Sequence, residues 1–184
     1  MAFAVFVALL LLTGAMRLGE LAVSVRRMRA RPQAVVSEPR LFPAMALLHA
    51  GLVVLPIAEV ALLGRAFSWA VGGPALAVLV LATGLRIWTL RTIGGAWNVR
   101  VVRPVAVVTT GPYRWIRHPN YLCVVLELAA LPLVHSAWIS ALALSAWNAA
   151  VLSVRIPTEE AELAQVPGWR EAFGGRARFV PWLF

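Results

Sequence analysis

Residues 110–121, TGPYRWIRHPNY, bring a titratable imidazole (His118), two phenols (Tyr113 and Tyr121), two guanidinium groups (Arg114 and Arg117) and the amide of Asn120 between two long apolar segments. A second polar set, Arg155, Glu159 and Glu160, opens the run RIPTEEAEL. Pro119 suits the first position of a helix, where its missing N–H costs no hydrogen bond. His118 then stands just outside the positive end, where free backbone N–H groups can hold polar groups of a ligand. On a helix Arg155 and Glu159, four apart, share one face. Both sets begin at the same ends of neighbouring helices, so they can meet as one polar site. The alternative is an interfacial arginine pair facing lipid phosphate beside a solvated acidic helix.

The elements that must position these residues are those of an integral membrane protein. Of 184 residues 61% are hydrophobic, the mean hydropathy is +0.80, and the apolar runs are long enough to cross a bilayer. We expect an all-α bundle of about five spans, at 3–25, 41–63, 69–90, 121–134 and 137–154, the last two short enough to form a tilted hairpin about His135 and Ser136. The seventeen basic residues are all arginine and the eight acidic ones all glutamate. Arg26, Arg27, Arg29, Arg31 and Arg40 mark the first loop as cytoplasmic, with the N-terminus outside. Six more arginines from Arg86 to Arg117 put the 92–110 loop on the same side, and a loop of that size is usually functional. After Arg155 an amphipathic cytoplasmic helix is expected, opened by Pro157 with glutamates at its positive end. Met1 and the apolar residues after it read as a retained anchor, because a basic n-region and a cleavage site are missing. The location is a cell membrane, in a bacterium the inner one, with the C-terminus in the cytoplasm.

The same composition narrows the function classes. A basic excess in loops reflects topology rather than nucleic-acid binding. The single Cys123 excludes an internal disulfide and a thiolate metal site, and no metal is expected. No internal repeat suggests a repeat-built transporter. Glu127, inside the fourth expected span, is costly there unless it is paired or lines a cavity. It reads either as a general base or as a protonated acid bonding another helix. Glu59 and His49 in the second span are treated alike.

GPYRWIRHPNY followed by RIPTEEAEL resembles the isoprenylcysteine carboxyl methyltransferase family of integral membrane enzymes, which move a methyl group from S-adenosylmethionine to a lipophilic acceptor. The likeness covers roughly the last hundred residues, from Arg86 onward. It implies one domain over 1–184, with 1–85 a helical scaffold and 86–184 the cofactor-binding and catalytic part. It implies that Tyr113, His118, Pro119, Asn120 and Tyr121 line the cofactor site, that Val105, Ala106, Val107 and Val108 touch it through backbone, and that Glu159 holds a polar part of the cofactor. Arg86 and Arg155 fall at the acceptor end. Trp169 and Phe173 stand where the family carries C-terminal aromatic residues, usually tyrosines. The segments RIWTLRTIGGAWNVRVV, with Asn98, and YLCVVLELAALPL resemble bacterial members that methylate alkylated polyketides such as alkylpyrones and alkylresorcinols.

These resemblances make the acceptor a lipophilic small molecule or membrane lipid, methylated on oxygen. A carboxylate acceptor, with a reference pKa of about 4, is already ionised, whereas a phenol near 10 requires help from a cation such as Arg86 or Arg155 or from a base such as Glu127. Phospholipid N-methylation, carboxyl methylation, and a non-enzymatic transporter or lipid-binding scaffold remain alternatives. On the topology drawn here, reporter fusions at Ser37 and at the C-terminus should both report the cytoplasm; an outside signal from the C-terminal fusion would remove one of the short spans.

Overall fold

The computed structural model describes residues 3–30, 36–37, 41–102 and 107–181. Val105 and Ala106 of the expected cofactor strip lie outside the described residues, as do Arg31, Arg40 and Arg103 of the loops. Six helices follow in order: α1 Phe3–Arg29, α2 Leu41–Leu63, α3 Trp69–Ile93, α4 Pro119–Leu133, α5 Trp138–Leu163 and the short α6 Trp169–Phe173. Tight 3-10 turns occupy Gly94–Ala96 and Gly111–Arg114. Among the described residues there is no strand, only isolated bridges between Val36 and Val102 and between Ile116 and Ala177.

Four of these helices, α1, α2, α3 with its 3-10 extension, and α5, are long and apolar enough to cross a membrane. The chain is thus an all-helical membrane bundle. α4 has 15 residues, about 22 Å at 1.5 Å per residue, against a hydrocarbon core of about 30 Å. It is sheltered between α3 and α5, which spares it from having to span alone. One boundary differs from the sequence reading: α5 does not end at 154 but runs through Pro157 to Leu163. Proline removes the bond to the carbonyl four residues back, here that of Ser153, which is exposed near the polar end. That carbonyl can turn to water or head groups, so the helix continues.

The ends carrying Arg29, Leu41, Ile93, Pro119 and Leu163 gather on one side, here called the arginine-rich end. Away from it lies the dry core, where Phe6 and Leu10 of α1, Leu48 and Leu52 of α2, Leu128 and Leu131 of α4 and Leu144 of α5 pack together. α3 and α4 approach closely because position 72 is glycine: a Cβ there would sit 2.7 Å from the Val134 carbonyl oxygen and 2.6 Å from Phe67. His135 at the α4–α5 turn is packed among Phe3, Phe6 and Phe67.

Glu59, weighed above as a possible base, is instead a cap at this far end. Its carboxylate accepts the backbone N–H groups of Ile139 (3.2 Å) and Ser140 (2.7 Å), the Ser140 hydroxyl (2.7 Å) and Arg65 Nε (3.1 Å). Those N–H groups belong to the first turn of α5, where no carbonyl of the helix itself precedes them. Glu59→Ala should therefore destabilise the bundle by about 1–3 kcal/mol, read as a lowered unfolding midpoint in detergent; an unchanged midpoint would remove the cap from the account.

Candidate active site

At the arginine-rich end the two polar motifs meet. α4 starts at Pro119 with His118 as its N-terminal flank. His118 N–H donates to the Arg178 carbonyl (3.1 Å) and Arg117 N–H to that of Ala177 (2.9 Å), so the tail is pinned to the entry of α4. The His118 ring stacks on Tyr121, with centroids 5.3 Å apart. Its Nε2 is 3.1 Å from Glu160 Oε1.

Adjacent glutamates of α5 take different tasks. Glu160 is a clamp: besides His118 it accepts Arg117 Nη1 (3.3 Å) and both Nε (3.1 Å) and Nη2 (2.8 Å) of Arg178. Arg117 in turn donates to the carbonyls of Arg176 (2.7 Å) and Gly174 (3.1 Å). Glu159 accepts the Tyr121 hydroxyl, and that hydroxyl oxygen accepts Arg155 Nε at 2.6 Å. Arg155 also donates to the Val99 carbonyl and touches the Met45 sulfur. Tyr113 is nearby, its carbonyl bonded by Arg176 (2.6 Å). Burial, reinforced by the Glu159 carboxylate, pushes the Tyr113 phenol well above its usual range, so it stays a neutral donor.

The Gly111–Arg114 turn that carries Tyr113 is fixed against α3. Gly111 has φ +56°, and an added Cβ would collide with the Thr92 side chain. A glycine is needed there for both the left-handed backbone and the close approach.

Deeper in the bundle lies a second polar cluster that the sequence reading passed over. Arg17 and Glu20 of α1 form an ion pair at 2.7 Å. Arg17 also reaches Glu127 of α4 (3.0 Å). Arg86 of α3 grips both oxygens of Glu20, with Nε on Oε1 at 2.8 Å and Nη2 on Oε2. The signal was present in the sequence: opposite charges three apart inside an apolar helix are not a loop feature, and charged groups at that depth face a partner or a cavity.

One cavity of about 600 Å³ joins the two clusters. Tyr113, His118, Asn120, Tyr121, Arg155 and Glu159 line its polar end, with Val107, Val108, Trp169 and Phe173. Arg17, Glu20, His49, Arg86, Trp97 and Asn98 line its inner part. Of the residues expected at the site, Pro119 and Glu127 are not on the wall. Pro119 shapes the entry of α4, and Glu127 is bonded to Arg17 behind it. From there the cavity continues between α1 and α2 along Gly14, Ala15, Ala46 and Ala50. Leu11 and Leu18 belong to this wall and are 55% and 68% exposed.

The Isoprenylcysteine carboxyl methyltransferase family description matches residues 75–165, the stretch holding Arg86, the 110–121 motif and the α5 glutamates. The chain belongs to this family. It is also similar to the uncharacterized protein YpbQ of Bacillus subtilis (strain 168), 36% identical over 128 residues that cover 67% of this chain and 74% of the relative. Family members are methyltransferases that take their methyl group from S-adenosylmethionine. The polar end suits such a ligand. Asn120 Oδ1 is buried without a hydrogen-bond partner among the described residues, an acceptor left for an incoming donor. The Glu159 carboxylate also lies on this wall, as do Trp169 and Phe173, which stack on each other.

The clamp role of Glu160 can be separated from the wall role of Glu159. Glu160→Gln should release the 174–181 tail, seen as faster proteolysis in that segment and a lowered unfolding midpoint, while Glu159→Gln leaves both unchanged. Equal proteolysis of the two variants would contradict this division.

Proposed function

We propose that this protein transfers a methyl group from S-adenosylmethionine to an oxygen of a lipophilic acceptor, an alkylated polyketide phenol or enol. The observation that carries the reading is one continuous cavity with a polar end built from the family motifs and an apolar slot between α1 and α2, whose wall includes the exposed Leu11 and Leu18. A water-soluble cofactor and a membrane-soluble acceptor can thus reach one chamber from different phases. The cofactor, when bound, supplies an electrophilic sulfonium methyl.

Everything else is the work of this chain. Tyr113, His118, Asn120, Tyr121 and Glu159, with the strip from Val105 through Ala106 and Val107 to Val108, hold the cofactor on the cytoplasmic side. The hydroxyl of Tyr121 couples Glu159 to Arg155, so a change at the Glu159 carboxylate is felt by the guanidinium next to it. Arg86 and Arg155 face the acceptor and favour its oxygen as an anion. The apolar walls exclude water, so positioning and a dry site provide most of the acceleration. Glu127, through Arg17, holds the inner cluster in place.

A second reading, carboxyl methylation of a prenylated cysteine, is favoured by the family and by the guanidinium groups of Arg86 and Arg155, two of the five on the wall. Product mass after incubation with an alkylresorcinol, an alkylpyrone and a prenylcysteine separates them; a methylated polyketide is the expected product.

Cofactor binding is tested directly by calorimetric titration of the detergent-purified protein. His118→Ala, Tyr121→Phe and Glu159→Gln should each weaken S-adenosylmethionine, the last by about tenfold or more, since a hydrogen bond to a charged group contributes about 1.5–3 kcal/mol. Unchanged affinity in all three would place the cofactor elsewhere.

A further inference from the structure

The inner cluster includes residues outside the stretch matched by the family: Arg17 and Glu20 on α1 and His49 on α2. Glu20 is nine residues before the end of α1, about 13 Å below the arginine-rich surface, and Arg86 seven before the end of α3, about 10 Å below it. At that depth a hydroxyl losing its proton is best served by an acceptor beside it.

We infer that Glu20 is the base that takes the proton from a neutral hydroxyl head group, with Arg86 beside it to stabilise the oxygen as its negative charge grows. This rests on the methyltransferase reading above and narrows its acceptor to a hydroxyl rather than a carboxylate. Three observations carry it.

The first is charge balance. Among the described residues the ion pairs around Glu20 are made by Arg17 on its own helix, Arg86 from α3, and Glu127 from α4 through Arg17. On α2, His49 directs Nδ1–H to the Met45 carbonyl at 2.8 Å. Two guanidinium groups thus face two carboxylates. A carboxylate head group would add an uncompensated charge to a balanced set in hydrocarbon, whereas a neutral hydroxyl adds none.

The second is access. Of the two carboxylates only Glu20 lines the cavity, and its side chain is 16% exposed against 4% for Glu127. Glu127 is thereby a positioning residue, acting through Arg17.

The third is unused bonding capacity. Among the described residues Glu20 Oε2 accepts from both Arg17 and Arg86, but Oε1 accepts from Arg86 alone. A carboxylate oxygen has room for a second donor. Arg86, which lines the cavity and is 4% exposed, keeps Nη1 buried without a partner among the described residues. The pair thus presents an open acceptor site at Glu20 Oε1, while the Nη1 donor stands on the opposite edge of the guanidinium.

In the step this serves, the acceptor O–H bond breaks and its proton goes to Glu20 Oε1. An oxygen electron pair forms the bond to the methyl carbon, and the pair of the broken C–S bond returns to sulfur, leaving a neutral thioether. No other reactant is required.

The test compares wild type, Glu20→Gln and Glu20→Asp in detergent. The ligands are an alkylresorcinol, its O-methylated ether and a prenylcysteine. Without cofactor, wild type should bind the resorcinol about tenfold or more tighter than its ether, the size of a hydrogen bond to a charged group, and Glu20→Gln should lose that preference. With saturating cofactor, Glu20→Gln should turn over the resorcinol about a hundredfold or more slowly at neutral pH. It should recover as pH approaches the hydroxyl's own pKa near 10, with cofactor affinity unchanged. If Glu20→Gln does not fold, Glu20→Asp retains the charge that holds Arg86 and should keep the binding preference with reduced turnover. A series of ring-substituted resorcinols on wild type gives an independent measure. A base makes the rate depend weakly on acceptor acidity, whereas a rate falling about tenfold per unit of acceptor pKa is what the ionised fraction alone produces, and would overturn the assignment. Unchanged turnover in Glu20→Gln would do the same, as would a wild-type preference for the prenylcysteine, and both leave the methyltransferase reading standing. Absence of cofactor binding to wild type would overturn that reading and this inference together.

Discussion

A charge in hydrocarbon must be paired, and around the cavity this chain answers that demand by clusters of opposite charges. Arg17, Glu20, Arg86 and Glu127 tie α1 to α3 and α4 where apolar packing alone would have no reason to leave a gap. The cluster thus acts as a spacer. Its long side chains hold α1 in register while keeping it far enough from α3 to leave a chamber, and the small residues of α1 and α2 continue that chamber outward as a slot. The dry packing of Phe6, Leu10, Leu128 and Leu131 closes the other end of the same helices.

Balanced polar groups also organise the surface end, by a different arrangement. There the carboxylates of α5 are shared between a wall and a clamp. One turn of helix carries Glu159 towards Tyr121 and the cavity, and Glu160 towards Arg117, His118 and Arg178. Since the two residues are consecutive, their side chains diverge by about 100° around the helix axis. A single short motif can thereby line the cavity and fasten the C-terminal segment beside it.

Much of this was legible in the sequence because its signals are local. Apolar runs and arginine clusters announce spans and ends, and Pro119 announces the start of α4. The meeting of the 110–121 motif with Arg155 and Glu159 followed from placing both at the same ends of neighbouring helices. What escaped was non-local. Arg17 and Glu20 look like flaws in a first span until Arg86 and Glu127, more than sixty and a hundred residues away, are brought beside them. Pro157 reads as a helix start by composition, yet a continuous α5 places Arg155, Glu159 and Glu160 on one rigid rod. Glu59 reads as a misplaced acid until the first turn of α5 is found above it.

The tail beside the polar mouth is attached by the side chains of Glu160, Arg117 and Arg176 and by a few backbone bonds, while the slot is bounded by two membrane helices. On the proposed function the two ligands then use separate doors on perpendicular axes, one parting from water and one from the bilayer. Neither ligand has to leave before the other can exchange. The expected kinetic form is random addition, in which a spent cofactor can be replaced while the alkyl product is still diffusing out sideways, and detergent or lipid thickness tunes one half of the cycle without touching the other.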